Sequence, residues 1–374
     1  MLPRHRGWAR VRVMESRSSL ATPRNADAVA FCPYDGLELV LACGCYELDD
    51  KVQPVRRHGH LALYSIDPDG SGLSQAGDAS FDVGILDCAW LPAAAAASHG
   101  TRLLAAATSE CDARLYPLQA GEPLLGEPCA TMACEDAGDA CMALDWSADG
   151  GRLAVSSTSG KIYVGQLEGG SGLSLTATWQ AHDLEGWAVA FDPKDANTLY
   201  TGADDAILKR WDLRAAAEYG EPVATASNRR SHSAGVCCVA PSRDSEHLVA
   251  TGSYDERARL WDARQLRAPL CETRCDGGVW RLKWHPQRPG VLLGACMHAG
   301  FAMLHVGGEL VAGAEAQSEA TLEIAARYEA HGIGQSLGYG ADWCHAPAAD
   351  GWLLGATCSF YDRALHVWRV AASA

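Results

Sequence analysis

Phenylalanine is scarce, five in 374 residues, and basic side chains are outnumbered, 31 Lys and Arg against 46 Asp and Glu. A net charge of −15 excludes a protein that simply wraps nucleic-acid backbone, because neutralising phosphate demands the opposite sign. It suits a basic partner. No run approaches the ~20 apolar residues that cross a bilayer, so no membrane association is expected. Cysteine pairs of the C-x-x-C type are missing: Cys43 with Cys45, Cys237 with Cys238, and Cys271 with Cys275 all lack the knuckle spacing of zinc sites. No metal and no other cofactor is expected. Without a secretory signal the fifteen cysteines read as reduced core thiols, and the chain as cytoplasmic. The first nineteen residues are arginine-rich with one acid, the composition of a transit peptide; a disordered basic tail, or a start at Met14, explains them more simply.

What the sequence does have is turn residues, 38 glycines and 16 prolines, within 48% apolar content. No window shows a long helical period. From Ala28 onward, short apolar runs alternate with turn residues, which predicts an all-β chain. Residues 1–26 form a basic N-terminal segment and residues 27–374 one continuous unit. Within that unit a pattern recurs. AHDLEGWAVAFDP, LYTGADD and AILKRWDLR carry His182, Thr201, Asp205 and Trp211 in order, and the next copy carries His232, Thr251, Asp255 and Trp261. Threonine precedes aspartate by four residues and aspartate precedes tryptophan by six in both. The last copy has Thr357, Asp362 and Trp368, with one extra residue before the aspartate, the mark of a bulge.

This ordering resembles the WD-repeat family. The resemblance implies blades of four antiparallel strands, with histidine, strand hydroxyl, turn aspartate and tryptophan joined in a buried hydrogen-bonded relay. A buried aspartate needs such partners. Seven units in 374 residues are about 53 residues each, which predicts a seven-bladed β-propeller. An N-terminal strand at ARVRVM, residues 9–14, is expected to complete the last blade and remove its exposed edge. One copy is broken: His298 falls where Asp255 stands in its neighbour, and Leu304 where Trp261 stands.

Candidate chemistry gathers on the face where first strands begin. Gly334, Ser336 and Gly338 have nucleophile-elbow spacing, although an elbow needs a strand-to-helix turn in an α/β sheet. Ser336 or Cys296 is therefore a candidate nucleophile by position, His298 a candidate base, and Arg281 a candidate anion stabiliser. Trp187, Tyr254, Trp280 and Tyr361 form an expected aromatic rim able to hold a quaternary ammonium. The Gly160-Lys161 step lacks Walker spacing, so phosphate binding is rejected.

Three stretches go further: TGSYDERARLWDAR, CDGGVWRLKWHP with ACMHAGF, and YGADW followed by ATCSFYDRALHVW. Together they resemble the diphthine methyl esterase family, WD-repeat proteins of diphthamide biosynthesis, and weaker likeness extends upstream through TWQAH and LACGCY. The resemblance implies hydrolysis of the methyl ester on over-methylated diphthine, carried on a histidine of elongation factor 2, with release of methanol. WDLR and WDAR, ending at Arg214 and Arg264, also resemble the boxes of substrate receptors for cullin ubiquitin ligases. They imply the alternative, a non-catalytic scaffold partnered by a ligase adaptor.

Overall fold

The computed structural model describes residues 12–52, 55–119, 125–134, 138–308, 320–332, 334–347 and 351–371. Among them the strands form seven sheets, antiparallel apart from one short parallel strand, the blades of a propeller. Blade one holds Asn25–Phe31, Val40–Asp49, Arg56–Ile66 and Leu73–Phe81. Blade four holds Gly186–Phe191, Thr198–Ala203, Leu208–Asp212 and Val223–Asn228. Inner strands are covered on both faces by the neighbouring blades, so Leu103–Thr108 is buried throughout and reads LLAAAT without alternation. Outer strands such as Leu73–Phe81 alternate between exposed and covered positions. Small side chains near the axis let seven twisted sheets converge, which accounts for an alanine-rich core with few phenylalanines.

Closure is made by Glu15–Ala21, which pairs antiparallel with Ala364–Ala371, Ser16 opposite Trp368. The strand expected at 9–14 is therefore displaced toward the C-terminus. Arg12–Val13 instead pairs in parallel with Ala326 and Arg327 of blade six, and residues 1–11 lie outside the described ones. The five-alanine connection of blade two is a short helix, Ala93–His99, ended by Gly100 at φ 67. Alanine's helix propensity and a left-handed glycine stop explain it. No helix among the described residues is long and apolar enough to cross a membrane.

The relay is complete in blade four. Trp211 Nε1 donates to Thr201 Oγ1 (2.9 Å), which lies 2.7 Å from His182 Nε2, and His182 Nδ1 reaches Asp205 at 3.0 Å. Burial lowers the pKa of His182, so the ring is neutral and its Nδ1–H faces the carboxylate. Thr201→Val strands two buried partners, and chemical denaturation is expected to show a loss of about 1–3 kcal/mol.

The other two copies depart from this arrangement. In blade five His232 and Trp261 share Thr251 (3.0 and 2.8 Å), but Asp255 turns to Arg259 at 2.8 Å, leaving His232 Nδ1 without a partner. The expected four-membered relay is cut there because a buried guanidinium outcompetes a neutral ring for the carboxylate. In blade seven the extra residue lengthens the turn after Ser359, and the strands on either side pair without the expected bulge: His331 Nδ1 lies 2.6 Å from the Ser359 Oγ, which donates to Asp362 at 2.5 Å. His331 Nε2 meets Thr357 at 2.9 Å, while the Trp368 indole N–H has no partner. Trp368 is a packing residue, fully buried against Trp343 and Tyr328.

Candidate functional site

Six first strands slip register by one residue near their start, between Ala26 and Ala28, Ile85 and Asp87, Cys141 and Ala143, Gly186 and Ala188, Val236 and Cys238, and Gly338 and Gly340. The unpaired residues are Asp27, Leu86, Met142, Trp187, Cys237 and Tyr339. Such bulges re-aim a side chain. In blade six Trp280 holds the matching place, one residue before the strand Arg281–Trp284. Trp187 and Trp280 come from blades four and six, yet their rings stand 5.8 Å apart. Blades separated by a third meet only at the axis, so these rings project over the central channel.

The rings continue around its mouth. Tyr254 meets Trp187 at 6.0 Å, Trp280 meets Tyr339 at 5.0 Å, and Tyr339 meets Phe360 at 5.5 Å, with Tyr46 and Tyr361 against Phe360 at 5.0 and 5.2 Å. Tyr254 and Tyr361 are 52% and 66% exposed at the rim. Burial pushes the phenol pKa values of Tyr46 and Tyr339 upward, so both stay protonated and can donate.

The charge lies beneath the rings. Arg281 of blade six donates from Nη1 to Asp87 of blade two at 2.8 Å, a pair that again spans the axis. Asp87 also accepts from the backbone N–H groups of Cys88 (3.0 Å) and Leu144 (3.2 Å). Arg281 Nε is buried with no partner among the described residues. Burial opposes the arginine's charge, but Asp87 and Asp27 outweigh it and hold it protonated. Asp27 is the one acid among the seven mouth positions. Burial raises its pKa to about 7; Arg281 pulls against the rise and Asp87 adds to it. Its carboxyl therefore changes charge near neutral pH.

Of the residues singled out from sequence, Trp187, Trp280 and Arg281 meet at this mouth, with Tyr254 and Tyr361 on its rim. The three remaining catalytic candidates do not. Cys296 is fully buried, its thiol pushed well above its ordinary range by a hydrogen bond with Cys275 and by burial, so it cannot supply a thiolate nucleophile. Ser336 is 7% exposed and donates to Asp362 at 2.8 Å while accepting from the N–H of Tyr361 at 3.0 Å. That serine pins a turn; it lines a small cleft together with His298 and His331, but its hydroxyl donates to Asp362 rather than to either ring. His298 lies on an exposed turn, and its carbonyl takes the Gly334 N–H at 3.0 Å. His298→Ala is expected to leave kcat/KM within about twofold, where loss of a general base costs ~100-fold or more.

Sequence reasoning missed Asp27, Asp87 and Tyr339, although a signal was present. Aligning the first strands sets ADA, GWA, VWR and GYG in register, and Asp27 then falls on the tryptophan position.

Fold and repeat geometry define a WD-repeat propeller. The family model for "WD domain, G-beta repeat" matches residues 220–262. A chain in "Crystal Structure of Mitotic Checkpoint Complex" superposes with a TM-score of 0.67 over 99% of this chain and 96% of that one, at 17% identity, a likeness of fold alone. Curated relatives are more specific. Diphthine methyltransferase of Mus musculus is 34% identical over 353 residues, 86% of this chain and 68% of the relative, and that of Homo sapiens 34% over 355 residues, 86% and 73%. The Dictyostelium discoideum homolog is 29% identical over 368 residues, 92% and 96%. The chain belongs to the diphthine methyltransferase family.

Proposed function

We propose that this protein acts in diphthamide biosynthesis and hydrolyses the methyl ester of over-methylated diphthine on the modified histidine of elongation factor 2, releasing methanol and diphthine. The observation that carries the reading is a buried carboxyl that titrates near neutrality, Asp27, beside a guanidinium with an unused N–H, Arg281, under an aromatic mouth. The trimethylammonium of the substrate would rest against Trp187, Trp280 and Tyr339, an attraction of ~0.5–2 kcal/mol. Asp27 as carboxylate takes a proton from water while the water oxygen bonds to the ester carbonyl. The carbonyl electron pair moves onto oxygen, where Arg281 Nε–H donates to it. Collapse breaks the bond to methoxide, Asp27 returns the proton, and methanol leaves. No protein nucleophile is needed, so neither Ser336 nor Cys296 enters the step. The relatives' names speak of methyl transfer, whereas hydrolysis calls for nothing beyond water and these two residues. Such a substrate would be met in the cytoplasm.

The test is to incubate the purified chain with elongation factor 2 bearing methylated diphthine, no other factor added, and follow loss of one methyl by mass. Trp280→Ala is expected to raise KM about 2–30-fold with a smaller change in kcat, the size of one lost cation–π contact. A second reading rests on Arg214 and Arg264, 59% and 50% exposed at side-chain level, each paired at 2.8 Å with the aspartate two residues earlier. They stand at the opposite ends of their blades from the mouth. Tight binding to a cullin-ligase adaptor without methyl loss would favour that scaffold reading.

A further inference from the structure

We propose that Cys111, Cys134 and Cys141 form a zinc site at the seam between blades two and three. Their sulfurs lie within 4.8 Å of one another, the only trio of such donor atoms at that mutual distance among the described residues. All three are buried. Cys111 sits in the turn between Leu103–Thr108 and Asp112–Pro117, Cys134 directly follows Ala130–Ala133, and Cys141 opens Cys141–Trp146. Separations of 23 and 7 residues, from numbers 111, 134 and 141, hide the group from any knuckle pattern.

The geometry suits a tetrahedral ion. Cys134 and Cys141 Sγ stand 3.8 Å apart, and two thiolates each ~2.3 Å from one tetrahedral zinc are separated by about that distance. The backbone fixes the third arm: Cys134 N–H donates to the Cys111 carbonyl at 2.8 Å, and Cys111 is held at φ 55, a left-handed conformation a cysteine seldom adopts. Asp139 lies outside the 4.8 Å trio, but its charge reaches the group. It receives the Thr158 hydroxyl on Oδ1 at 3.0 Å, while its Oδ2 is buried with no partner among the described residues. Three sulfurs with a fourth place open to an oxygen suit zinc, whereas copper(I) prefers sulfur alone. The divalent ion also leaves the smaller uncompensated charge among three buried thiolates. By contrast Cys43 and Cys45, 3.7 Å apart, do not form such a trio. Each thiol gives up its proton to solvent as its sulfur bonds the metal, so zinc uptake acidifies unbuffered solution and tightens as pH rises.

The test uses the full chain, reduced, stripped with a chelator and titrated with zinc and separately with cobalt. One equivalent of zinc should survive gel filtration, cobalt should give the sulfur-to-metal charge-transfer absorption, and zinc should protect Cys111, Cys134 and Cys141 from alkylation while leaving Cys271 unprotected. Cys134→Ser should weaken binding by roughly 100-fold and Cys43→Ser should not. If Cys134→Ser does not fold, the protection map of the unaltered chain decides. No retained zinc, protection that ignores the three thiols, or a Cys134–Cys141 disulfide in anaerobically prepared protein would overturn the assignment. The esterase assay is independent of all three results.

Discussion

Asp27→Asn is expected to lower kcat/KM for methyl-ester hydrolysis by ~100-fold or more, the usual cost of losing a general base, while making the protein more stable above neutral pH. Both effects have one cause. The carboxyl's pKa rises from 3.8 to about 7 because burial penalises its charge, with Arg281 only partly compensating. Between those values the folded protein holds a proton that the unfolded chain has lost. The stabilisation is fully present below pH 3.8 and is lost as pH rises through 7, where a buried carboxylate must be carried. Asparagine removes that burden at pH 8 and changes little at pH 4. Catalysis needs the same carboxylate ionised, so wild-type kcat/KM should rise tenfold per pH unit below about 7 and level off above it. An asparagine variant that keeps the limb would assign it to another group. Asp87→Asn should move the limb to lower pH, because Asp87 is one of the charges holding the Asp27 pKa up.

Arg281→Ala is expected to destabilise the fold by about 3–5 kcal/mol, the cost of leaving a buried charge without its partner. The guanidinium is the partner of Asp87 across the axis, and the side chains of the pair are 15% and 6% exposed. Denaturation by urea measures the loss. Adding Asp87→Asn to the alanine variant should recover much of it, since no carboxylate is then stranded opposite the gap; a double variant no more stable than the single would show that packing, and not charge, sets the cost. Wherever the variant remains folded, its pH limb should lie above the wild-type value, because Arg281 pulls the Asp27 pKa down.

The two predictions meet at a site that the sequence made only partly visible. Blade number and the threonine, aspartate and tryptophan spacing were legible because a repeat writes its core several times, and four aromatics with Arg281 were legible because they sit at repeat boundaries. Asp27 was not, because it occupies the first copy, where no histidine or tryptophan-aspartate pair marks the blade and an acid stands where three of its counterparts are aromatic. The broken sixth copy pointed to His298, and the structure sets that exposed turn beside a small cleft lined also by Ser336 and His331, a cleft that includes neither Asp27 nor Arg281. The extra residue ahead of Asp362 was legible from spacing, but it lengthens the turn between Trp352–Ser359 and Ala364–Ala371, which pair without a register shift, so the expected bulge does not form; the placing of Ser359 between His331 and the carboxylate depends on side-chain geometry. Contacts across the axis, such as Arg281 with Asp87, join residues 194 positions apart and leave no local pattern.

Water as the attacking group is the central claim, and oxygen labelling tests it most directly. Elongation factor 2 carrying methylated diphthine is treated with the purified chain in water enriched in heavy oxygen, and both products are analysed by mass. The account predicts one heavy oxygen in the new diphthine carboxylate, unlabelled methanol, and neither product from Asp27→Asn. Heavy oxygen in the methanol, or a methyl group passed on to another acceptor with an unlabelled carboxylate, would contradict it.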